Sequence, residues 1–362
     1  MVEPFKNMIG RAAVGRLAQR LGLDRRFVRA ATTGLEALEL KARVAHVAGA
    51  LRAHLPPDYE TALARIVDGL PPPLPDAEGV GAGFWLWPLC HFVEAHGLDH
   101  PVASLAAMPA LTQRFSCEFA IRPFVERHRE LTFAQLADWV ADPNVHVRRL
   151  VSEGTRPRLP WGRRLTALQR DPRPLWPLLE RLRDDPELYV RRSVANSLND
   201  VAKDHPALAV EVANRWLADA PPGREWIVRH ALRTLIKQGD RSALRALGYG
   251  TAKVDAVRFE VAPRRLALGD ALTLRAELRS TARSEQQLVI DYAVHHRRQN
   301  GTLSPKVFKW RRAALPVGGT LELEKRHALR PVTTRRYHAG RHRVELLVNG
   351  RSCGSRDFDL RL

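Results

Sequence analysis

The chain has 362 residues, a formal net charge of +19 and three widely spaced cysteines, a composition that argues against a disulfide framework, a zinc site or an iron–sulfur cluster. No run reaches the roughly 20 apolar residues that cross a bilayer, and charges interrupt residues 1–23, so we expect a cytoplasmic protein without a signal peptide. The excess of Lys and Arg favours a polyanionic partner, of which nucleic acid is the first candidate.

The first two thirds of the chain has the apolar spacing of α-helices. Apolar residues recur every three or four positions from the start to about residue 70 and again from 84 to 247. A proline-rich stretch at 70–75 separates these two parts. We therefore expect a helical region over residues 1–249.

An internal repeat lies within this region. Residues 142–154 match residues 185–197 at an offset of 43, and a weaker copy at 226–232 follows 38 residues later. Asp-Pro pairs mark the joints, where Asp caps a helix and Pro suits its first turn. A period near 40 predicts a HEAT-like α-solenoid, whose stacked units form a concave binding surface.

After Gly250 the apolar period changes from 3.6 to 2, as in the alternating run Val257, Phe259 and Val261. An Asn349-Gly350 pair is typical of a hairpin turn. About seven short strands predict an immunoglobulin-like β-sandwich over residues 250–362. Residues 253–361 contain 23 Lys/Arg and 11 Asp/Glu, so most of the excess charge belongs to this domain.

Charged residues follow the repeated helices at i, i+4 spacing. Arg149 and Glu153 form one such pair, and Arg192, Asn196 and Asp200 form the aligned row in the next repeat. Solvated helix faces also carry ion pairs at this spacing. Because the row recurs in neighbouring units and mixes Arg, Asn and carboxylates, we interpret it as a functional surface.

Two further clusters have both a functional and a structural interpretation. Arg114, Glu118 and Arg122 fall on one face if their segment is helical, where spacing alone favours an ion pair. The loop at 154–164 surrounds Trp161 with four arginines, an arrangement suited to phosphates and a stacked base or sugar, although the tryptophan could simply anchor the loop. No P-loop, dinucleotide fingerprint, H-E-x-x-H or G-x-S-x-G motif occurs, so no metal or organic cofactor is expected.

Three segments in order resemble a known family. They are LTQRFSCEFAIRPF at 111–124, HVRRLVSEGTRPRLPW at 146–161 and YVRRSVANSLNDVAKDH at 189–205. They are similar to the AlkC-type DNA glycosylases, HEAT-like-repeat enzymes of alkylation repair. The resemblance covers about residues 85–239, and some members also have a C-terminal immunoglobulin-like domain.

The resemblance implies hydrolysis of the N-glycosidic bond of cationic N-alkylated bases, such as 3-methyladenine, 3-methylcytosine and 1-methyladenine, in double-stranded DNA without base flipping. It implies a reaction centre of Glu118, Asp200 and Trp161. The residues expected to contact DNA or support the centre are Arg149, Glu153, Arg148, Arg122, Arg156, Arg158, Arg192, Asn196 and Lys203.

The chemistry of such a reaction agrees with these residue types. A cationic base is already an activated leaving group, so carboxylates are needed mainly for the sugar cation and the attacking water. Lys203 is the one lysine near the aligned centre, and since a phosphate contact or an ion pair suits it better, we expect a glycosylase without lyase activity. Two alternatives remain: a non-catalytic HEAT scaffold that binds DNA or protein, and a structure-specific DNA-binding protein.

Overall fold

The computed structural model describes residues 4–75, 77–218, 220–221, 223–332 and 335–362, with only the backbone of 77–80. Helices occupy the first two thirds of this described chain and strands the last third. Within these ranges no helix combines the length and the apolar composition needed to span a membrane.

Sixteen α-helices follow one another in the described part of the chain. Their bounds are α1 Arg11–Leu21, α2 Arg25–Thr32, α3 Leu40–His54, α4 Tyr59–Asp68, α5 Trp87–His96, α6 Pro101–Thr112, α7 Arg122–Arg127, α8 Arg129–Trp139, α9 Val145–Gly154, α10 Thr166–Arg170, α11 Trp176–Leu182, α12 Leu188–Ala202, α13 Pro206–Ala218, α14 Arg224–Ala231, α15 Arg233–Gln238 and α16 Arg241–Ala246. Short 3₁₀ segments lie at Phe5–Met8, Leu35–Ala37, Ala77–Leu86 and Arg173–Leu175.

The repeated sequence builds the same helix start twice. The carboxylates of Asp142 and Asp185 accept a backbone N–H two residues ahead, at 2.7 and 2.9 Å. An arginine of the following helix then donates to both carbonyls of the Asp-Pro pair: Arg148 at 2.9 and 3.0 Å, and Arg191 at 2.5 and 2.7 Å. Each repeat therefore satisfies the exposed backbone groups at its own joint.

The same arginine connects neighbouring repeats. The Arg148 guanidinium donates to both carboxylate oxygens of Asp185, at 2.7 and 3.2 Å. Helices α9, α12 and α14, which carry the three repeated segments, pack side by side in that order. Val147, Leu150 and Val151 are fully buried on the inward face of α9, as their spacing predicts.

The described chain divides into two compact units. The first contains the described residues of 1–205 and 221–231, and the second contains those of 206–220 and 232–362. Helices α13, α15 and α16 thus group with the strands, whereas the secondary structure changes from helix to strand only after α16. The units cut the chain differently from the predicted domains, 1–249 and 250–362, which stay a prediction.

The strands form two sheets. Their bounds are β1 Val254–Ala262, β2 Arg265–Ala267, β3 Ala271–Ser280, β4 Gln286–Arg297, β5 Leu303–Leu315, β6 Thr320–Ala328, β7 Gly340–Val348 and β8 Arg351–Arg361. One sheet has the order β1-β3-β6 and the other β2-β8-β7-β4-β5, antiparallel except for the β2–β8 pair. Residues of both sheets share one apolar core, among them Leu274, Ile290 and Phe358. The predicted β-sandwich is therefore present.

A tight hairpin joins β7 and β8. Asn349 and Gly350 both have positive φ, 45° and 75°, which the predicted two-residue turn requires. On the other face of β4, Val289 packs against Leu244 and Tyr249, so α16 covers part of the five-stranded sheet.

Candidate functional site

A cavity of about 450 Å³ in the first unit brings together several residues that the sequence singles out. Its lining is mainly aromatic and apolar, with one arginine and two carboxylates. The lining residues are Gly81, Phe84, Trp87, Phe115, Ser116, Glu118, Phe119, Arg149, Glu153, Leu159, Pro160, Trp161 and Tyr189. Glu118 and Trp161 of the predicted reaction centre thus border the same space.

Glu118 lies in the turn between α6 and α7. Residues 113–121 form turns and irregular backbone, so the predicted helical face of Arg114, Glu118 and Arg122 is wrong. Glu118 Oε2 instead accepts from Arg149 Nη1 at 2.6 Å and from Ser116 Oγ at 3.0 Å. Among the described residues, Oε1 accepts no hydrogen bond, so one oxygen of this carboxylate is available to a ligand.

Arg149 and Glu153 extend from Glu118 into a buried ion-pair network. Arg149 Nη2 lies 3.5 Å from Glu153 Oε1, and its guanidinium stacks 5.0 Å from the Tyr189 ring centre. Although burial alone disfavours its charge, the carboxylates of Glu118 and Glu153 raise the pKa of Arg149 above its ordinary value. Arg149 therefore stays charged beside the cavity.

Glu153 is the centre of the network. It accepts from Arg156 Nη1 at 2.7 Å and from Ser193 Oγ at 2.6 Å, which uses both carboxylate oxygens. Burial on its own raises the pKa of Glu153, but Arg149 and Arg156 outweigh it and hold that pKa below its ordinary value. Glu153 is thus an ionised carboxylate whose oxygens are already bonded.

Asp200 lies apart from the cavity lining. Its side chain is fully buried, its Oδ2 accepts from Arg156 Nε at 2.9 Å and its Oδ1 from Lys203 Nζ at 2.9 Å. Arg156 therefore bridges Asp200 and Glu153. Among the described residues, Arg156 and Glu153 connect Asp200 to the cavity lining, and a direct catalytic role of Asp200 stays a prediction.

Two arginines hold the loop at 155–165 against α12 and the residues just after it. Arg156 binds Asp200, and Arg158 binds Asp204 through both oxygens at 2.5 and 2.8 Å. Contact with DNA is predicted for both arginines, yet their guanidiniums are engaged in these pairs. The loop then presents Trp161, 57% exposed, at the cavity.

The backbone of Trp161 is held in an uncommon conformation. Its φ of 63° lies in the left-handed region, which is strained for a bulky side chain. Lys41 of α3 donates its ammonium to the Trp161 carbonyl, and the Phe5 ring meets the indole edge-on at 6.3 Å. Trp161 also borders a second cavity of about 360 Å³ with Lys41, His91 and other residues. The N-terminal helices thus hold the aromatic residue of the predicted centre.

The remaining predicted DNA contacts differ in exposure. Arg122 is fully buried and donates to the carbonyls of Gly154 and Arg163 at 2.8 and 2.7 Å, so the structure gives it the position of an internal brace. Burial lowers the pKa of Arg122 to about 10. Arg148 joins the repeats, as described above. Arg192 is exposed, and Asn196 is half-buried beside His230. DNA contact by Arg192 and Asn196 stays a prediction.

Several residues at the site have no marker in the sequence. Lys41, Phe84 and Trp87 belong to segments without a recognisable motif, and only the fold brings them to Trp161. Tyr189 carries a weak signal, because it aligns with His146 of the preceding repeat and directly precedes the repeated Val-Arg-Arg. Among the described residues, no group of three or more His, Cys, Asp or Glu side chains is arranged to hold a metal ion.

Comparison with known proteins gives matches over nearly the whole chain. Residues 255–362 match the family model described as the C-terminal Ig-like domain of the uncharacterised protein YhaZ, as the β-sandwich predicts. The chain is 37% identical to the uncharacterized protein YhaZ of Bacillus subtilis (strain 168), over 89% of this chain and 88% of that protein. It is also 37% identical to a Pseudomonas fluorescens structure, the alkylpurine DNA glycosylase AlkC bound to DNA containing an abasic site analog. That match has a TM-score of 0.92 and covers 99% of this chain and 100% of the other.

Proposed function

This chain belongs to the family that includes AlkC and YhaZ, and on that premise we propose that it is a DNA glycosylase of alkylation repair. Its substrates are cationic N-alkylated bases in double-stranded DNA, with 3-methyladenine, 3-methylcytosine and 1-methyladenine as the first candidates. It hydrolyses the N-glycosidic bond without turning the base out of the helix. A net charge of +19 supports duplex DNA as the partner.

The observation that carries this proposal is the state of the Glu118 carboxylate. Its Oε2 is fixed by Arg149 and Ser116, whereas its Oε1 accepts no hydrogen bond from a described residue, and Glu118 lines the aromatic cavity. Glu153 and Asp200 have both oxygens bonded. Glu118 is thus the member of the network best placed to meet a ligand.

The reaction needs little from the protein at the leaving base. Because an alkylated base carries a positive charge, it departs as a neutral molecule without a general acid. The developing oxocarbenium-like sugar is stabilised by a nearby negative charge, and a carboxylate oxygen can also orient the water that attacks C1′. We assign these two tasks to Glu118 Oε1.

Trp161 supplies the second part of the proposed centre. An exposed indole beside a carboxylate stacks on a sugar or base, and its negatively charged face favours a cation. The left-handed backbone, the Lys41 contact and the Phe5 ring hold this indole at the cavity before DNA arrives. Little ordering is then needed when DNA binds.

Asp200 contributes to the proposed centre through Arg156. With Arg156 held between them, Asp200 and Glu153 fix the position of Arg149, which in turn holds Glu118. Negative and positive side chains alternate from Asp200 through Arg156, Glu153 and Arg149 to Glu118. A cationic substrate that approaches Glu118 therefore competes with Arg149 for the same carboxylate. Asp200 is in this proposal a buried supporting group.

The state of Lys203 supports a glycosylase without lyase activity. Its side-chain nitrogen donates to Asp200 Oδ1 at 2.9 Å, and Asp200 lies outside the lining of the cavity. A lyase needs an uncharged amine that attacks the sugar carbon. The expected product is therefore an intact strand with an abasic site.

The first prediction concerns base release. Incubation with methylated duplex DNA should release 3-methyladenine, detected by chromatography, and EDTA should leave the rate unchanged. Glu118→Gln should lower the single-turnover rate about 10- to 1,000-fold, because a stabilising charge near C1′ is lost. Affinity for duplex DNA should stay equal or rise, since the variant lacks the negative charge by which Glu118 repels phosphate.

Glu60→Gln is the matched control, because Glu60 is an exposed carboxylate paired with His100 and lies outside the cavity lining. It should excise at the wild-type rate. No released base from a wild-type protein that still binds DNA would support the non-catalytic scaffold. Equal rates for Glu118→Gln and wild type would remove Glu118 from the centre.

A further inference from the structure

Three arginines surround a cavity of about 230 Å³ in the second unit. Arg241 and Arg245 lie one turn apart on α16, and Arg351 begins β8. All three side chains are exposed, and Thr251 and Asn349 complete the polar lining. The cavity is therefore lined with hydrogen-bond donors that are open to solvent.

The positive charge of this three-arginine cavity is not balanced locally. Among the described residues, none of the three guanidiniums forms an ion pair, and the lining contains no carboxylate. The acidic neighbour Asp240 caps α16, where it accepts from the Ala243 N–H at 2.8 Å. Exposed guanidiniums without a carboxylate bind phosphate oxygens well, because their planar donors match two oxygens at once.

A second surface cavity of the same unit shows the opposite balance. It lies on the β1-β3-β6 sheet, has a volume of about 540 Å³ and is lined by Glu277, Glu322 and Glu324 as well as by arginines. There Arg258 pairs with Glu260 at 2.7 Å and Arg275 with Glu324 at 2.8 Å. The arginines of this second cavity are thus paired with carboxylates, whereas the described ion pairs include none for Arg241, Arg245 or Arg351.

The backbone around the three-arginine cavity is fixed. Gly239 and Gly350, both at positive φ, approach so closely that a Cβ on Gly239 would lie 2.7 Å from the Gly350 carbonyl oxygen. Asn349 donates to the Gly250 carbonyl at 2.8 Å and accepts from the Val289 N–H at 2.7 Å. These contacts hold the β7–β8 hairpin against the residues that flank α16 on both sides. The three arginines therefore extend from a rigid frame, which reduces the entropy lost on binding.

We propose that the three-arginine cavity binds one phosphate group of the DNA backbone. This inference rests on the proposed function, which makes duplex DNA the partner. The site reads no base sequence, because it holds only the sugar-phosphate backbone. It contributes affinity and a fixed register on the duplex.

The test removes the three charges while the frame is kept. The triple variant R241Q/R245Q/R351Q is compared with R258Q/R275Q/R343Q, which loses three arginines that pair with carboxylates, Arg343 with Asp357 at 2.7 Å. Affinity for an undamaged duplex is measured by fluorescence anisotropy over a series of KCl concentrations. The first variant should bind about tenfold more weakly, with a slope of log K against log salt shallower by about 1, as expected for one lost phosphate contact.

The control variant should keep the wild-type slope, and R241K/R245K/R351K should recover most of it because the charge is restored. An equal change of slope in both glutamine variants would overturn the proposal, since it would reflect net charge alone. A wild-type slope in R241Q/R245Q/R351Q would also overturn it. Circular dichroism and thermal unfolding confirm that each variant is folded.

Two further measurements separate this site from its alternatives. Inorganic phosphate should weaken DNA binding by wild type more than it weakens DNA binding by R241Q/R245Q/R351Q. The effect of phosphate on thermal unfolding is measured as well. If phosphate stabilises wild type but not this variant, while the two bind DNA equally well, the cavity binds a free anion and the DNA assignment is overturned. Base release is measured in parallel at saturating protein. A lowered slope without any base release by wild type would leave the phosphate site standing and reject the glycosylase.

Discussion

Buried carboxylates in this chain differ in what compensates their charge. Glu153 is balanced by two arginines and a serine hydroxyl. Asp291 of β4 is also buried, at 7% exposure, but it accepts no hydrogen bond from a described residue. Burial raises the pKa of Asp291 to about 6, although Lys309, Lys237 and Arg312 oppose this rise. The two residues show that burial alone does not fix the protonation state of a carboxyl group.

The second prediction follows for Asp291→Asn. Below pH 4 the Asp291 carboxyl is protonated in the folded and in the unfolded protein, so it does not lower the free energy of unfolding. Between pH 4 and 6 the unfolded chain loses this proton first, so the free energy of unfolding falls as pH rises. Above pH 6 the penalty is complete, at about 3 kcal/mol from the shift. Asp291→Asn should therefore be more stable than wild type at pH 7.

Urea unfolding at pH 4 and pH 7 measures this difference, with the free energy of unfolding of variant minus wild type as the readout. The control is Asp255→Asn, which changes an exposed carboxyl on β1 and should leave the stability almost unchanged at both pH values. The interpretation fails if Asp291→Asn gains no stability between the two pH values.

The identity of the site residues was predictable only in part. The aligned motifs mark Glu118 and Trp161, which do border one cavity. Sequence alone does not show which arginine reaches the cavity. Arg148 and Arg149 are neighbours in the chain, yet Arg148 joins two repeats and Arg149 borders the cavity. That difference depends on the direction of each side chain from the helix, and on a partner 37 or 31 residues away.

At the scale of elements, a loop of this protein is held by two ion pairs of unequal burial. Arg156 pairs with the fully buried Asp200. Arg158 pairs with Asp204, which lies just after α12 and has a side chain that is about a quarter exposed. Breaking a buried pair strands a charge, whereas an exposed pair contributes little. The position of the Trp161 loop therefore depends mainly on Asp200.

The third prediction compares Asp200→Asn with Asp204→Asn. Asp200→Asn should lower the free energy of unfolding by about 3 kcal/mol and Asp204→Asn by less than about 1 kcal/mol. Urea unfolding tests the stabilities. Single-turnover excision should fall in Asp200→Asn by one to three decades and should stay near wild type in Asp204→Asn. Equal losses in both variants would contradict the unequal roles of the two pairs.

Elements were easier to predict than their grouping. The helical region, the β-sandwich and the Asn349-Gly350 hairpin follow from the period of apolar residues and from turn chemistry. The strand β2 has only three residues, too few for a recognisable sequence period, so sequence alone does not predict it. The packing of α16 on β4 depends on contacts between Leu244, Tyr249 and Val289, which no local pattern encodes.

At the scale of the molecule, the charge is unevenly divided. Residues 253–361 carry an excess of twelve positive charges, whereas the described ion pairs around Glu153 and Asp200 bring carboxylates and cations together. The part that we propose for chemistry thus has locally balanced charge, and the β-sandwich supplies most of the attraction for a polyanion.

The fourth prediction concerns a fragment that ends at Tyr249. It should bind duplex DNA more weakly than the full chain and with a shallower salt slope, because fewer phosphates are contacted. It should also lose amide protection in α16, since Val289 no longer covers Leu244 and Tyr249. Anisotropy titrations and hydrogen exchange measure these effects. An unchanged salt slope in the folded fragment would make the β-sandwich irrelevant to binding.

The joints of the repeats have a consequence for how such a chain can grow. Arg148 completes the turn of its own unit and also binds the first aspartate of the next, so this unit carries the partner that its successor needs. Gene duplication of one 43-residue unit would therefore insert a segment with matching ends, without any new interface to evolve. Lengthening the array in this way would leave the Asp-Pro joints intact while it extends the surface that the stacked helices form.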